Sequence, residues 1–431
     1  MPPAWAASMV KNGGLGLVAL TYIAVDYLRN LSPSWHARLQ PALWVILILA
    51  SLTRFLKYQH WTSEIRYAVP FIASMLFLLC AFLVEVISVR FVTAVLGLDW
   101  HRASSPLPDT GQWLLLALNE KLPQVVVEIL RAHIIALHNY LMLFVMLAFS
   151  VLFNSVKAPG LGLGARYMFT MAVGRLLRAV SFVSTILPAV RPWCASDRYK
   201  RLPSHPHVWA QKYYMPYASD AGAIRRLVLR DMAFGSSDEG EYIQDHRPDW
   251  GSMSFLINFL RPTKADGSWY SLLKRASGGC NDLLYSGHML VAVLTAMAWT
   301  EAYGGWTSAI LWMLVMHSAQ REIRERHHYS VDCVVAIYVG ILLWKMTGFI
   351  WSAKDTSLSR KLAKFEKIHS RLDRAMKDSD MYEVRKLLKE VESAGKQRQS
   401  FTDQTIRIFS YVALVFTFTT VILTFILTSD G

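Results

Sequence analysis

His328 and Asp332 stand four residues apart in "RERHHYSVDCVV", residues 324 to 335. On a helix that spacing puts both on one face, so the carboxylate can hold the imidazole in one tautomer while the other ring nitrogen attacks phosphorus. His327 points about 100° away on a 3.6-residue helix and reads as a bystander. A second histidine, His288, opens an apolar run in "GGCNDLLYSGHM", residues 278 to 289, where Gly287 permits close backbone approach. Its imidazole can give and take a proton near neutrality. A third cluster, "RLLRAVSFVSTILP", residues 175 to 188, places Arg178 roughly 15 Å down a helix from Pro188. An always-charged guanidinium at that depth suits a phosphate, with a structural ion pair to Glu85 as the competing reading. A metal site of His288, His328 and Asp332 is the weaker alternative, because no H-E-x-x-H or cysteine cluster supports it. Neither a metal nor another cofactor is expected.

The elements that must position these groups are membrane spans. Of the 431 residues 53% are hydrophobic and 12% aromatic, a usage beyond that of ordinary soluble domains. Runs near the ~20 apolar residues of a bilayer-crossing helix cover 69–89, 134–153, 167–190, 283–302, 306–318, 329–351 and 406–427. The weaker runs 13–24 and 43–52 are cut short by Asp26 and Arg54 and read as short, tilted or interfacial helices. Without a small-residue cleavage site in residues 1 to 25, a retained anchor is expected rather than a removed signal peptide. The net charge of +14 finds its counterpart in anionic lipid; no basic stripe interleaved with aromatics points to nucleic acid.

The expected class is an all-α integral membrane protein, a six-helix catalytic core with extra helices at both ends. Its divisions are N-terminal membrane or interfacial helices (1–65), the first half of the core (66–190), a long polar cap (191–282), the second half (283–351), a charged amphipathic helical hairpin (352–405) and a C-terminal span (406–431). Leu362, Phe365, Ile368 and Leu372 form the hairpin's apolar stripe, which packs on itself or on a partner subunit, so a homo-oligomer is left open. If the central spans all cross, Pro188, His288 and His328 share one face. The basic helix after Trp351 marks the other face as cytosolic, which puts the site on the luminal or extracellular side.

With these motifs on the page, the chain resembles the sphingomyelin synthase family, a branch of the lipid phosphatase and phosphotransferase superfamily named after type 2 phosphatidic acid phosphatase. The resemblance covers about residues 66 to 351. The family's first motif is similar to Arg178, Ser181, Ser184, Leu187 and Pro188. Its middle motif is similar to Cys280, Asp282, Tyr285, Ser286, Gly287 and His288, and its third to His328, Tyr329, Ser330 and Asp332. The resemblance implies a metal-free, six-span enzyme of the endomembrane system (Golgi, endoplasmic reticulum or plasma membrane). His328 forms a phospho-histidine, Asp332 orients it, His288 serves as acid and then base, and Arg178 clamps the phosphate. Its partners are a phospholipid donor and a lipid alcohol acceptor, ceramide or diacylglycerol.

Asn281 and Met289 depart from the family pattern beside the reacting groups, so phosphocholine does not carry over as the headgroup. The Lys-x6-Arg-Pro pattern of soluble phosphatases is missing, since Ser184 stands where Lys precedes Arg191-Pro192; that favours a transferase. Arg321 and Arg324, seven and four residues before His328, can substitute as phosphate clamps or, equally, serve as interfacial charges. If the long connection is luminal, Cys194 and Cys280 can form a disulfide closing a loop of roughly 85 residues, worth at most ~4 to 5 kcal/mol in the chain-entropy model. A lipid phosphate phosphatase and a non-catalytic membrane scaffold are the alternatives.

Overall fold

A computed structural model describes residues 21–29, 31–57, 64–132, 134–135, 137–148, 160–195, 279–377, 381–389 and 392, and their regular structure is helical throughout. The named helices are α1 (Pro33–Lys57), α2 (Ala68–Ala103), α3 (Thr110–Lys121), α4 (Gln124–Arg131), α5 (Leu137–Ala148), α6 (Gly160–Ser184), α7 (Gly287–Ala302), α8 (Gly305–Arg324) and α9 (Ser330–Lys377). The chain divides into two compact units after Trp344. The expected C-terminal span and most of the cap, with Trp209, Trp250 and Trp269, lie outside the described residues.

In the first unit α7 is the central helix. Met289, Leu290, Val291, Ala292, Val293 and Leu294 are all buried, as expected of a helix that is apolar all round. Around it stand α5, α6, α8 and α9. Close approach depends on two glycines: a methyl at Gly174 on α6 meets Leu290 Cδ2 at 2.6 Å, and one at Gly340 on α9 meets Val293 Cγ1 at 2.7 Å.

The outer helices invert the pattern of a soluble protein. On α2, Val69, Ile72, Leu76, Leu79 and Leu83 share one face and are exposed. On α9, Val331, Val334, Tyr338 and Leu342 do the same. Apolar stripes at helical spacing that point outward are what a hydrocarbon surround accepts and water does not. Two helical segments, Ala68–Thr93 and Ser330–Ser352, are long and apolar enough to cross a bilayer. The protein is thus a membrane protein.

Several spans differ from the sequence expectation. The helix expected to open at Leu283 begins at Gly287, because residues 279 to 286 are spent on a bonded loop. The run 306–318 extends to Arg324, and 43–52 lies within the longer α1, whose Val45, Ile46, Ile48 and Leu49 are exposed. At Gly97 (φ 73°) α2 kinks. His101 Nε2 bonds the Thr93 carbonyl, on the other side of the kink, at 2.9 Å.

Polar anchors hold helix ends. Buried Glu64 accepts the Gly160 and Leu161 amides, both at 2.9 Å, at the start of α6, where first-turn amides have no helical partner. At the far end of the core from His328, Arg166 bonds Glu301 at 2.6 Å and the Trp344 carbonyl at 2.7 Å.

In the second unit, Arg371 bonds Glu383 at 3.0 Å, tying the last turns of α9 to residues 381–389. Ile368 of the expected apolar stripe is buried; the side chains of Leu362 and Phe365 lie outside the described residues.

Gly340→Leu is expected to lower the thermal stability of the detergent-solubilised protein by about 1–3 kcal/mol, because its side chain overpacks the α7–α9 contact. Tyr338→Leu, at an exposed position of the same helix, is expected to leave the melting temperature nearly unchanged.

Candidate active site

Asp332, in the first turn of α9, is fully buried and bonds two segments of chain, the turn at 328–329 and the loop at 284–286. One carboxylate oxygen accepts from His328 Nδ1 at 3.1 Å and from the Tyr329 amide at 3.0 Å. The other accepts from the Leu284 amide at 3.0 Å, and the Asp332 carbonyl takes the Ser286 amide at 3.1 Å. The third-motif helix thereby holds the second-motif loop by its backbone. Leu284 adopts φ 78°, a left-handed conformation costing about 1–3 kcal/mol for such a residue, and this same bond holds it there. Arg326 (φ 55°), in the turn before His328, is the other non-glycine residue of positive φ among the described residues.

The spacing of four residues thus yields the expected pair. With Nδ1 directed at a carboxylate, His328 carries its proton there and keeps a lone pair on Nε2. His288 lies in the first turn of α7, which Ser286 caps by accepting the Met289 amide at 3.3 Å. Its side chain is exposed, and it lies close enough to His328, Glu322, Arg178 and Asp282 to feel their charges.

Arg178 differs from the expectation of a phosphate clamp. It is 4% exposed, and each of its guanidinium nitrogens is engaged by protein. Nε donates to the Tyr285 carbonyl at 2.8 Å, Nη2 to the Asp282 carbonyl at 2.6 Å and to the Asp282 carboxylate, and Nη1 to Glu85. Glu85 also accepts from Arg175. The ion pair with Glu85 is present, and Asp282 doubles it; a desolvated cation requires such compensation. Burial alone raises the Asp282 pKa, but Arg178 and then His328 hold it below the ordinary carboxylate value. Gly287 leaves room for this cation, since a methyl there meets Arg178 Nη1 at 3.2 Å. Tyr285 donates to the Gly174 carbonyl on α6.

Arg321 and Arg324 are held by protein through their Nε atoms. Their bonds run toward α4 and along α8: Arg321 Nε reaches the Arg131 carbonyl at 3.4 Å, and Arg324 Nε reaches Gln320 at 2.8 Å.

Tyr329 closes the site's other wall. Its hydroxyl donates to the Pro188 carbonyl at 3.0 Å and accepts the Leu107 amide at 2.9 Å. Asp109, which caps α3 through Gln112, also takes the Ser330 amide at 2.7 Å. Asn281, a departure from the resembled pattern, donates to the Leu187 carbonyl at 2.8 Å and so joins the first and second motifs. Cys194 and Cys280 form a disulfide with a Cα–Cα distance of 5.8 Å across a sequence separation of 86.

Sequence reasoning missed Arg191, Glu322 and Asp109. Arg191 Nε donates to the Arg326 carbonyl at 3.0 Å, and its Nη2 meets His327 Nδ1. Burial among its neighbours, countered by Glu322 and reinforced by Arg191 and Arg321, lowers the His327 pKa to about 4. His327 is therefore a neutral acceptor for Arg191 at pH 7. The Glu322 carbonyl takes the His327 amide at 2.9 Å and the His328 amide at 3.4 Å. The Arg191-Pro192 pair was the one available signal among these three.

Residues 279–349 match the model of the PAP2 superfamily C-terminal domain, a stretch that contains Asp282, His288, His328 and Asp332. The protein PHLOEM UNLOADING MODULATOR of Arabidopsis thaliana is 63% identical over 426 residues, which are 98% of this chain and 100% of that protein. The chain belongs to that family. The matched PAP2 domain supports a function of the lipid phosphatase or phosphotransferase type. In this chain the His328–Asp332 pair lies inside the matched stretch, and Arg178 bonds Asp282 within it.

Glu85→Leu is expected to cost about 3 kcal/mol of thermal stability, the low end for breaking a buried pair, because Asp282 still serves Arg178. Paired Cys194→Ser and Cys280→Ser substitutions are expected to cost at most about 4–5 kcal/mol, and reductant should destabilise the wild type but not that variant.

Proposed function

We propose that the protein moves a phospho-headgroup from a glycerophospholipid to a lipid alcohol, such as ceramide or diacylglycerol, through a phospho-histidine on His328. The bond from His328 Nδ1 to fully buried Asp332 carries this reading, since it leaves Nε2 as the nucleophile. In the first step Nε2 forms a bond to phosphorus, the bond from phosphorus to the diacylglycerol oxygen breaks, and His288 gives that oxygen a proton. In the second step His288 takes the proton of the acceptor hydroxyl, its oxygen bonds phosphorus, and the P–N bond breaks with its electron pair returning to Nε2. Asp332 stabilises the charge that builds on the His328 ring in both steps. Arg178 acts as a positioning residue, holding the loop of Asp282 and Tyr285 against α6. Arg191, which bonds Arg326 and His327 just before His328, is assigned to meet the phosphate. Tyr329 and Ser286 shape the walls.

The six-span core belongs to this proposal, as does the placing of the site on the luminal or extracellular side of an endomembrane or the plasma membrane. The Cys194–Cys280 disulfide, adjoining both site motifs, supports an oxidising compartment on that side. If water takes the place of the alcohol in the second step, the same residues give a lipid phosphate phosphatase.

With a phospholipid labelled in its headgroup, the purified protein is expected to pass the label intact to an added lipid alcohol. His328→Ala is expected to abolish transfer, and Asp332→Asn to lower its rate about 10²–10⁴-fold. Release of inorganic phosphate from a phosphomonoester lipid, without headgroup transfer, would replace the transferase with the phosphatase.

A further inference from the structure

Between α2 and α5 the chain does not cross the core. It forms α3 and the eight-residue α4, roughly 12 Å long and too short to span a bilayer. No residue of α4 is buried, and Val125, Val126 and Ile129 stand exposed on one side. On α3, Trp113, Leu114 and Leu118 are exposed as well. Short helices that present apolar side chains beside outward apolar spans belong in the plane of the membrane interface. This pair lies at the level of the His328 turn, because Asp109 bonds Ser330 and Gln112 Nε2 bonds the Ile323 carbonyl at 3.2 Å.

One face of α8 takes up the end of α4. His317 Nε2 meets the Ala132 carbonyl at 3.1 Å, Gln320 Nε2 the Leu130 carbonyl at 2.6 Å, and Arg321 Nε the Arg131 carbonyl at 3.4 Å. Arg324 comes next on this face. It is 5% exposed, its Nε bonds Gln320, and its Nη1 is buried without a hydrogen-bond partner among the described residues. The like charge of Arg131 acts on it, and Glu325 offsets this only in part. Glu128 bonds Gln124, and Glu322 stands 3.9 Å from Arg321. A buried guanidinium edge lacking an acceptor costs about 1–3 kcal/mol or more, and an anionic oxygen removes that cost.

We propose that Arg324, with Arg131 beside it, binds the phosphate of a phospholipid lying along α4 at the membrane interface, next to the His328–Asp332 centre. The site captures the lipid before transfer. It rests on reading the protein as a lipid enzyme, though not on the phospho-histidine. The apolar faces of α3 and α4 take the first part of the acyl chains, and Arg324 Nη1 donates to a phosphate oxygen. Arg131, exposed at the end of α4, adds charge attraction.

The test measures binding of dihexanoyl phosphatidic acid, dihexanoyl phosphatidylcholine and inorganic phosphate to the full-length protein in detergent, by ligand-induced shift of the melting temperature. Both lipids are expected to stabilise the wild type and His328→Ala equally. Arg324→Gln is expected to weaken their binding about 10-fold or more, the loss of one charge-assisted hydrogen bond. Arg131→Gln, which changes an exposed side chain and leaves folding intact, is expected to weaken it by a smaller factor. Unchanged affinity in both arginine variants overturns the site. Inorganic phosphate binding as tightly as the lipids overturns the assignment to a phospholipid. Lipid binding lost in His328→Ala overturns the separation of this site from the transfer centre. If His328→Ala retains transfer while the arginine variants lose binding, the phospho-histidine fails and the capture site stands.

Discussion

A guanidinium that cannot lose its proton sits within the helix packing at Arg178, and the geometry around it follows from compensating that charge. Two carboxylates and two backbone carbonyls converge on it from α2 and from the loop before α7. Removing a cation from water costs several kcal/mol, so these partners are required for the helices to pack at all. The consequence reaches the chemistry. The loop that supplies Asp282 and Tyr285 continues into Leu284 and Ser286, whose amides bond Asp332. His288 follows two residues after Ser286. Arg178 thereby positions one histidine of the site through the backbone, without touching phosphate.

Asp332 is the other fixed point. Its carboxylate and carbonyl serve His328, Tyr329, Leu284 and Ser286, so the catalytic pair and the loop of the second motif share one anchor. Such sharing holds the site in one geometry, which suits the proposed two-step transfer, where a nucleophile, an acid and a phosphorus must stay in line. The left-handed Leu284 is the local cost. The disulfide between Cys194 and Cys280 closes the same loop from its other end, and Asn281 ties it to Leu187. The departure at Asn281 therefore has a structural account: its amide bonds the backbone of the first motif.

Much of the site was legible because it is local. His328 and Asp332 meet across one helical turn, Ser286 caps the helix that it precedes, and Gly287 stands where a cation presses on the backbone. The apolar runs 69–89 and 329–351 located the apolar segments Ala68–Thr93 of α2 and Ser330–Ser352 of α9 to within a few residues. Where the reading failed, the cause was contact across long separations or chain spent on loops. Leu107 and Tyr329 meet across 222 positions, which no period in the sequence encodes. The helix α7 starts four residues later than its apolar run, because Leu283 and Leu284 serve a bonded loop. Arg321 and Arg324 share a face with one another, but α8 ends before His328, so helical arithmetic could not carry them to it.

By itself the sequence determined the chemistry's ingredients and the surroundings: a His-x-x-x-Asp pair, a second histidine at a helix start, intramembrane cations, and apolar runs that suit hydrocarbon. These are properties of residue type and short spacing, which survive without knowledge of the fold. Only the tertiary structure decided which cation pairs with protein and which keeps an unpartnered edge. A guanidinium's role depends on the acceptors that distant segments bring to it. Arg178 found Glu85 and Asp282, whereas Arg324, buried against α4, found Gln320 for its Nε and no acceptor for its Nη1 among the described residues.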